Sequence, residues 1–171
     1  MKKLVFLMIT TVTMSFAMAQ SKFAHVNSQK LLDTMPSRKA AMKDLKDFEE
    51  KGVKELQEME GDLQKAYTKY VAEKDKLSPT MQQYEEERIQ KKQTAMQERE
   101  QQLQQQISSL GQELNAPILK RVQKAVDIVA ERKKINYVID ESVTLYFKGG
   151  IDITNEVMVE LLRLDAEETK K

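Results

Sequence analysis

A register of alternating three- and four-residue steps runs from Met42 to Leu77, and it constrains this chain more than any other feature. It passes through Met42, Leu45, Glu49, Gly52, Leu56, Met59, Leu63, Ala66, Tyr70, Glu73 and Leu77, and eight of these eleven positions are apolar. A stripe of period 3.5 is a coiled-coil seam, narrower than the face a globular core demands. No proline interrupts residues 37–77, and Gly52 and Gly61 stand alone among strong helix formers, where either is a candidate hinge. At 1.5 Å per residue the predicted helix is roughly 60 Å long.

Ser78-Pro79 ends this helix and starts the next, because serine caps a helix and proline suits its first position. The second seam runs Ile89, Gln93, Met96, Glu100, Leu103, Ile107, Leu110 and Leu114, with six of eight positions apolar. Two long stripes with so short a break predict an antiparallel helical hairpin. Folding the chain about Ser78 sets Met42 opposite Leu114 or Asn115, so both seams span the same level.

The flanks are richer in apolar residues. Residues 22–27 read as a short strand, with Phe23 and His25 on one face and Ala24 and Val26 on the other. Asn27 is placed to cap a short helix carrying Leu31 and Leu32, and Pro36 to open the first long helix. After the hairpin, Asn115-Ala116-Pro117 predicts a break and a helix restart carrying Ile118, Leu119, Val122, Val126 and Val129. Arg132-Lys133-Lys134 suits that helix's C-terminus. Residues 135–139 and 143–147 predict two strands joined as a hairpin through Asp140-Glu141-Ser142. Lys148-Gly149-Gly150 predicts a turn, and residues 151–153 an extension of the sheet. Asp152 or Thr154 is placed to cap a last helix that buries Val157, Met158, Leu161, Leu162 and Leu164. Residues 165–171 read as a polar, disordered tail.

The N-terminus reads as a secretory signal: Lys2 and Lys3, an apolar run from Leu4 to Ile9, then Ala17-Met18-Ala19 before Gln20. The run is shorter than the roughly 20 residues a membrane span needs. No cysteine stands at the cleavage point, so a lipoprotein is not predicted. Removing Lys2 and Lys3 takes the formal net charge from +1 to −1. The expected division is residues 1–19 as signal peptide, 20–36 with 116–164 as an oligomerisation body, 37–115 as a helical arm and 165–171 as the tail.

Several functions are excluded or disfavoured. The chain has no cysteine and a single histidine, His25, so thiolate metal sites, disulfides and nucleophile–base pairs lack their residues. It carries no glycine-rich phosphate loop and no His-Glu metal motif. No enzyme, cofactor or metal is predicted. Glu85, Glu86 and Glu87 are consecutive and point in different directions on a helix, so they form no metal site. Nucleic-acid binding needs positive patches, which a charge-balanced exported chain does not offer. The body is small and has open strand edges, which predicts a homo-oligomer.

A signal peptide, the strand Ala24-His25-Val26-Asn27, a helical hairpin, Tyr137-Val138-Ile139-Asp140, Gly-containing turns and Asp152-Ile153-Thr154 before a terminal amphipathic helix follow one another in this chain. In that order they resemble the Skp family of periplasmic chaperones, also called OmpH-like proteins, over about residues 22–164. The resemblance implies a mainly α fold with a small β body that trimerises as a β-barrel, from which the arms project around a cavity. It implies an ATP-independent periplasmic holdase that keeps unfolded outer-membrane β-barrel proteins from aggregating. This chain departs from the strongly basic members of the family in its near-neutral charge, which bears on any transient association with the membrane surface.

A holdase needs many weak, adaptable contacts. Methionine suits that role, and Met42, Met59, Met81 and Met96 lie on the arm. Phe48, Val53, Tyr67, Val71, Met81 and Tyr84 lie off the seam and are the candidate client-binding residues. Basic residues toward the tip, Lys65, Lys69, Lys74, Lys76, Arg88, Lys91 and Lys92, are interleaved with acids and read mainly as a solvated surface. The alternative function is an exported coiled-coil scaffold or tether that binds one folded envelope partner.

Overall fold

The β-branched and aromatic side chains near the start form a strand, and the caps expected around it are made. The computed structural model describes residues 22–168; the signal-peptide reading lies outside them. Strand β1 spans Phe23–Val26 and buries Ala24 and Val26 on one face. The Asn27 side chain then accepts from the Lys30 amide, capping α1, Ser28–Thr34. Helix α2 starts at Pro36 and runs 38 residues to Glu73. A 3-10 turn at Lys74–Lys76 follows, then α3, Pro79–Lys133, of 55 residues. The Gln82 side-chain amide donates to the Lys74 and Leu77 carbonyls at 3.0 and 3.2 Å, tying the start of α3 to the turn.

The described chain forms two compact units, one of residues up to 36 with those from 119 onward, the other of residues 37–118. In the second, Gly52, Ala66, Tyr70 and Leu103 are buried, and all four belong to the sequence register. Leu56, Met59, Leu63, Met96, Ile107, Leu110 and Leu114 are half-buried. Met42, placed on the seam by periodicity, is instead exposed. The Tyr70 hydroxyl donates to Glu86, Arg99 donates to both Glu55 oxygens, and Leu103 lies against Gly52. As residue numbers fall on α2, their partners on α3 rise.

Helix α3 runs unbroken through Pro117, contrary to the predicted restart. Proline removes one amide donor and strands the carbonyl four residues earlier. Here Pro117 and Glu113 are both exposed, so water can reach the freed acceptor. The helix ends in a Schellman pattern: Ile135 N donates to Ala130 O at 2.9 Å, Lys134 N to Glu131 O at 3.1 Å, and Lys134 takes φ 54°.

In the other unit β1 is the centre of a three-stranded sheet ordered β2-β1-β3, with β2 at Tyr137–Asp140 and β3 at Ile151–Asp152. Both pairings are parallel. The predicted hairpin between 135–139 and 143–147 does not form. Asp140 accepts from the Ser142 amide at 3.1 Å, and the chain turns through a 3-10 segment, Glu141–Val143. Residues 144–147 take no place in the sheet among the described residues. Gly149 and Gly150, at φ 97° and 95°, bring the chain back so that β3 takes the free side of β1. Apolar alternation marks an extended segment but does not say which neighbour it pairs with.

Helix α4, Thr154–Glu168, packs its Val157, Leu161 and Leu164 into the core with Leu31, Met35, Ala125, Val129 and Ile153. Asp152 accepts from the Thr154 amide at 2.9 Å, fixing its start. Leu162 is exposed, so it does not join the buried side with its neighbours. The polar tail is also shorter than expected. The helix continues to Glu168, and Asp165 is 2% exposed and paired to Arg121 at 3.3 Å. A carboxylate can be buried in this way only with a cation facing it.

Candidate functional site

Helical spacing decides where the six candidate arm residues lie. Tyr67 and Val71, four apart on α2, share a face, as do Met81 and Tyr84, three apart on α3. All four are exposed, as is Val53, while Phe48 is half-buried. The Tyr70–Glu86 hydrogen bond sets the 67–71 turn level with the start of α3. That bond, with burial, raises the Tyr70 hydroxyl to about 12, so it stays a donor at neutral pH. Phe48 lies roughly 29 Å along the helix from Tyr67. The six therefore form a ladder and do not converge on one point. Val53 borders a shallow groove with Leu56, Gln57, Glu60, Met96 and Glu100.

A second surface escaped the sequence reading. The sheet's outer face carries Phe23, Tyr137 and Ile139, all exposed, with Phe23 and Tyr137 stacked at 5.1 Å. Tyr146 and Phe147 lie beside it around a small cavity with Phe23, His25 and Ile139, and Val143 and Leu145 of the same segment are exposed, Leu145 fully at 106%. Exposed apolar patches of this kind are characteristic of surfaces that meet another molecule. The alternation in 143–147 was visible in the sequence, but it was read as an internal strand.

On the same face the parallel register sets His25 beside Asp152. His25 Nδ1 lies 2.7 Å from Glu141 Oε1, and Asn27 Nδ2 donates to the other Glu141 oxygen at 2.8 Å. The Phe147 ring covers the imidazole at 4.8 Å between centroids. Hydrogen bonds from Thr154 hold the Asp152 carboxyl below its ordinary value, and the charge of His25 adds to this. The two carboxylate neighbours of His25 are more than 100 residues from it in sequence, so no local spacing announces the cluster.

Comparison with known proteins places this arrangement. Residues 22–161 match the model of the family described as outer membrane protein (OmpH-like). The chaperone protein Skp of Photorhabdus laumondii is 28% identical over 142 residues, covering 83% of this chain and 86% of that protein. Skp of Photorhabdus luminescens matches to the same extent. An OmpH-like outer membrane chaperone of Caulobacter crescentus has a similar fold, with TM-score 0.74 and 19% identity over 87% of this chain and 86% of that one. The family match sets the class: proteins of this family are chaperones, not enzymes. The chain belongs to the Skp/OmpH-like family. Members of that family are periplasmic chaperones, and among the described residues no helix is long and apolar enough to cross a membrane.

Proposed function

We propose that this protein is an ATP-independent periplasmic holdase for unfolded outer-membrane β-barrel proteins. In this reading residues 1–19 are a cleaved signal, and 37–115 form an antiparallel coiled-coil arm. Residues 20–36 and 116–164 form the body, which trimerises as a β-barrel through its exposed sheet face. The arms of three copies then border a cavity. The observation that carries the reading is the ladder of exposed Val53, Tyr67, Val71, Met81 and Tyr84 on a thin seam. Such a surface offers many weak apolar contacts to a client without fixed shape.

The test is light scattering from a urea-unfolded outer-membrane β-barrel diluted into buffer. A modest molar excess of the protein should suppress aggregation without ATP and leave the client unfolded. Unchanged aggregation in the presence of folded, oligomeric protein would overturn the reading and favour a scaffold that binds one folded partner.

A further inference from the structure

His25, Glu141 and Asp152 each present a ligand atom, and the three atoms lie within 4.8 Å of one another. We propose that they form a binding site for a divalent transition-metal ion of the zinc type. The topology assembles it. β1 contributes His25, β3 contributes Asp152 at the paired position, and the turn after β2 contributes Glu141.

The donor set suits such an ion. One imidazole and two carboxylates carry up to two negative charges, and zinc accepts both ligand types with a fourth position left to water. Neither carboxylate is ion-paired to a lysine or arginine among the described residues, and Glu141 faces His25. Lys30 acts on Asp152 only through its charge. Two carboxylates thus converge on one imidazole at the sheet face.

The supporting bonds also fit. Asn27 holds one Glu141 oxygen, and the Thr154 amide holds one Asp152 oxygen, leaving an oxygen on each carboxylate for the metal. Such outer partners orient ligands and raise affinity. Ligand atoms around a tetrahedral zinc stand roughly 3.3 Å apart. Small side-chain shifts bring the three groups to that spacing, with the metal displacing the proton between His25 and Glu141. Phe147 and the Gly149-Gly150 turn flank a cavity of about 100 Å³ beside the imidazole, which gives the ring room to adjust.

The test is isothermal titration of the purified, metal-stripped protein with Zn2+, together with melting curves with and without Zn2+. One ion per chain should bind and raise the melting temperature. His25→Gln should abolish saturable binding, and Glu141→Gln and Asp152→Asn should each weaken it at least about tenfold. Far-UV circular dichroism of each variant without metal confirms that the fold is kept. Absence of saturable binding to the wild type would overturn the site. So would binding that survives both carboxylate substitutions, which would reduce it to zinc held by a lone surface histidine. No readout involves a client, so the outcome is independent of the holdase reading.

Discussion

Leu103 occupies the space that a side chain on Gly52 would need. A Cβ built on Gly52 would stand 2.6 Å from Leu103 Cδ2 and 3.0 Å from its Cγ, whereas one on Gly61 meets nothing within 4 Å. The two glycines look alike in sequence, yet one receives a knob from the facing helix and the other faces open space. Gly61→Ala should therefore stabilise the protein by about 1 kcal/mol, the helix-propensity difference. Gly52→Ala gains the same propensity but forces Leu103 aside, and overpacking costs about 1–3 kcal/mol. Its net effect should be destabilising by about 1 kcal/mol. Urea melts of both variants, followed at 222 nm, check the opposite signs.

The Asp165–Arg121 pair gives a second prediction. Asp165→Ala leaves the half-buried guanidinium without its carboxylate and should cost about 3 kcal/mol. Ending the chain after residue 164 should cost a similar amount. Thermal unfolding of the two variants checks this, and a silent truncation would restore the disordered-tail expectation.

Acid should weaken the body in a defined range. Hydrogen bonds from Arg163 and then Arg132 hold the Glu160 carboxyl below its ordinary value. A carboxylate depressed in the folded state contributes stability above its unfolded value, about 4.3, and loses it as the pH falls through the folded one. The stability gap between wild type and Glu160→Gln should thus be widest near neutrality and shrink below about pH 5. Melting temperatures measured at several pH values give that gap directly.

Leu145 tests the proposed self-association. Leu145→Asp adds a charge that an apolar interface cannot accommodate, so it should weaken self-association at least about tenfold. Its full exposure predicts little change in the chain's own helicity. Sedimentation velocity over a dilution series separates the two effects.

On the arm, binding should be shared. Tyr67→Ser, Val71→Ser, Met81→Ser and Tyr84→Ser should each raise the concentration needed to suppress aggregation by about twofold, and the four together by about tenfold or more. A single substitution that removes all activity would point to one defined patch and to the scaffold reading.

The helical part of the fold was legible because its rule is local. The 3.5-residue period picked out Gly52, Ala66, Tyr70 and Leu103, and all are buried. Caps at Asn27 and Asp152 were legible for the same reason. The sheet was not. Whether residues 143–147 pair with 135–139 depends on neighbours more than 100 positions away: Phe23 lies beside Tyr137 and His25 beside Ile139. Pro117 misled because its cost is set by the exposure of the carbonyl it frees. The His25–Glu141–Asp152 cluster shares this origin, since it exists only once three separated segments meet.

The position of β1 also dictates an order of events. It is the first element of the described chain and the middle strand of its sheet, and the bond from Lys22 to Asn136 spans 114 residues. Neither of its edges can be satisfied until segments more than 100 residues further along the chain come into place. The long helices, built on neighbouring residues, can form within microseconds of appearing. The strand must wait, and its closure is a slow, long-range step. A protein of this design therefore passes through a stage in which its own first strand is an unpaired, aggregation-prone segment. For that interval it is in the same condition as the chains its family protects.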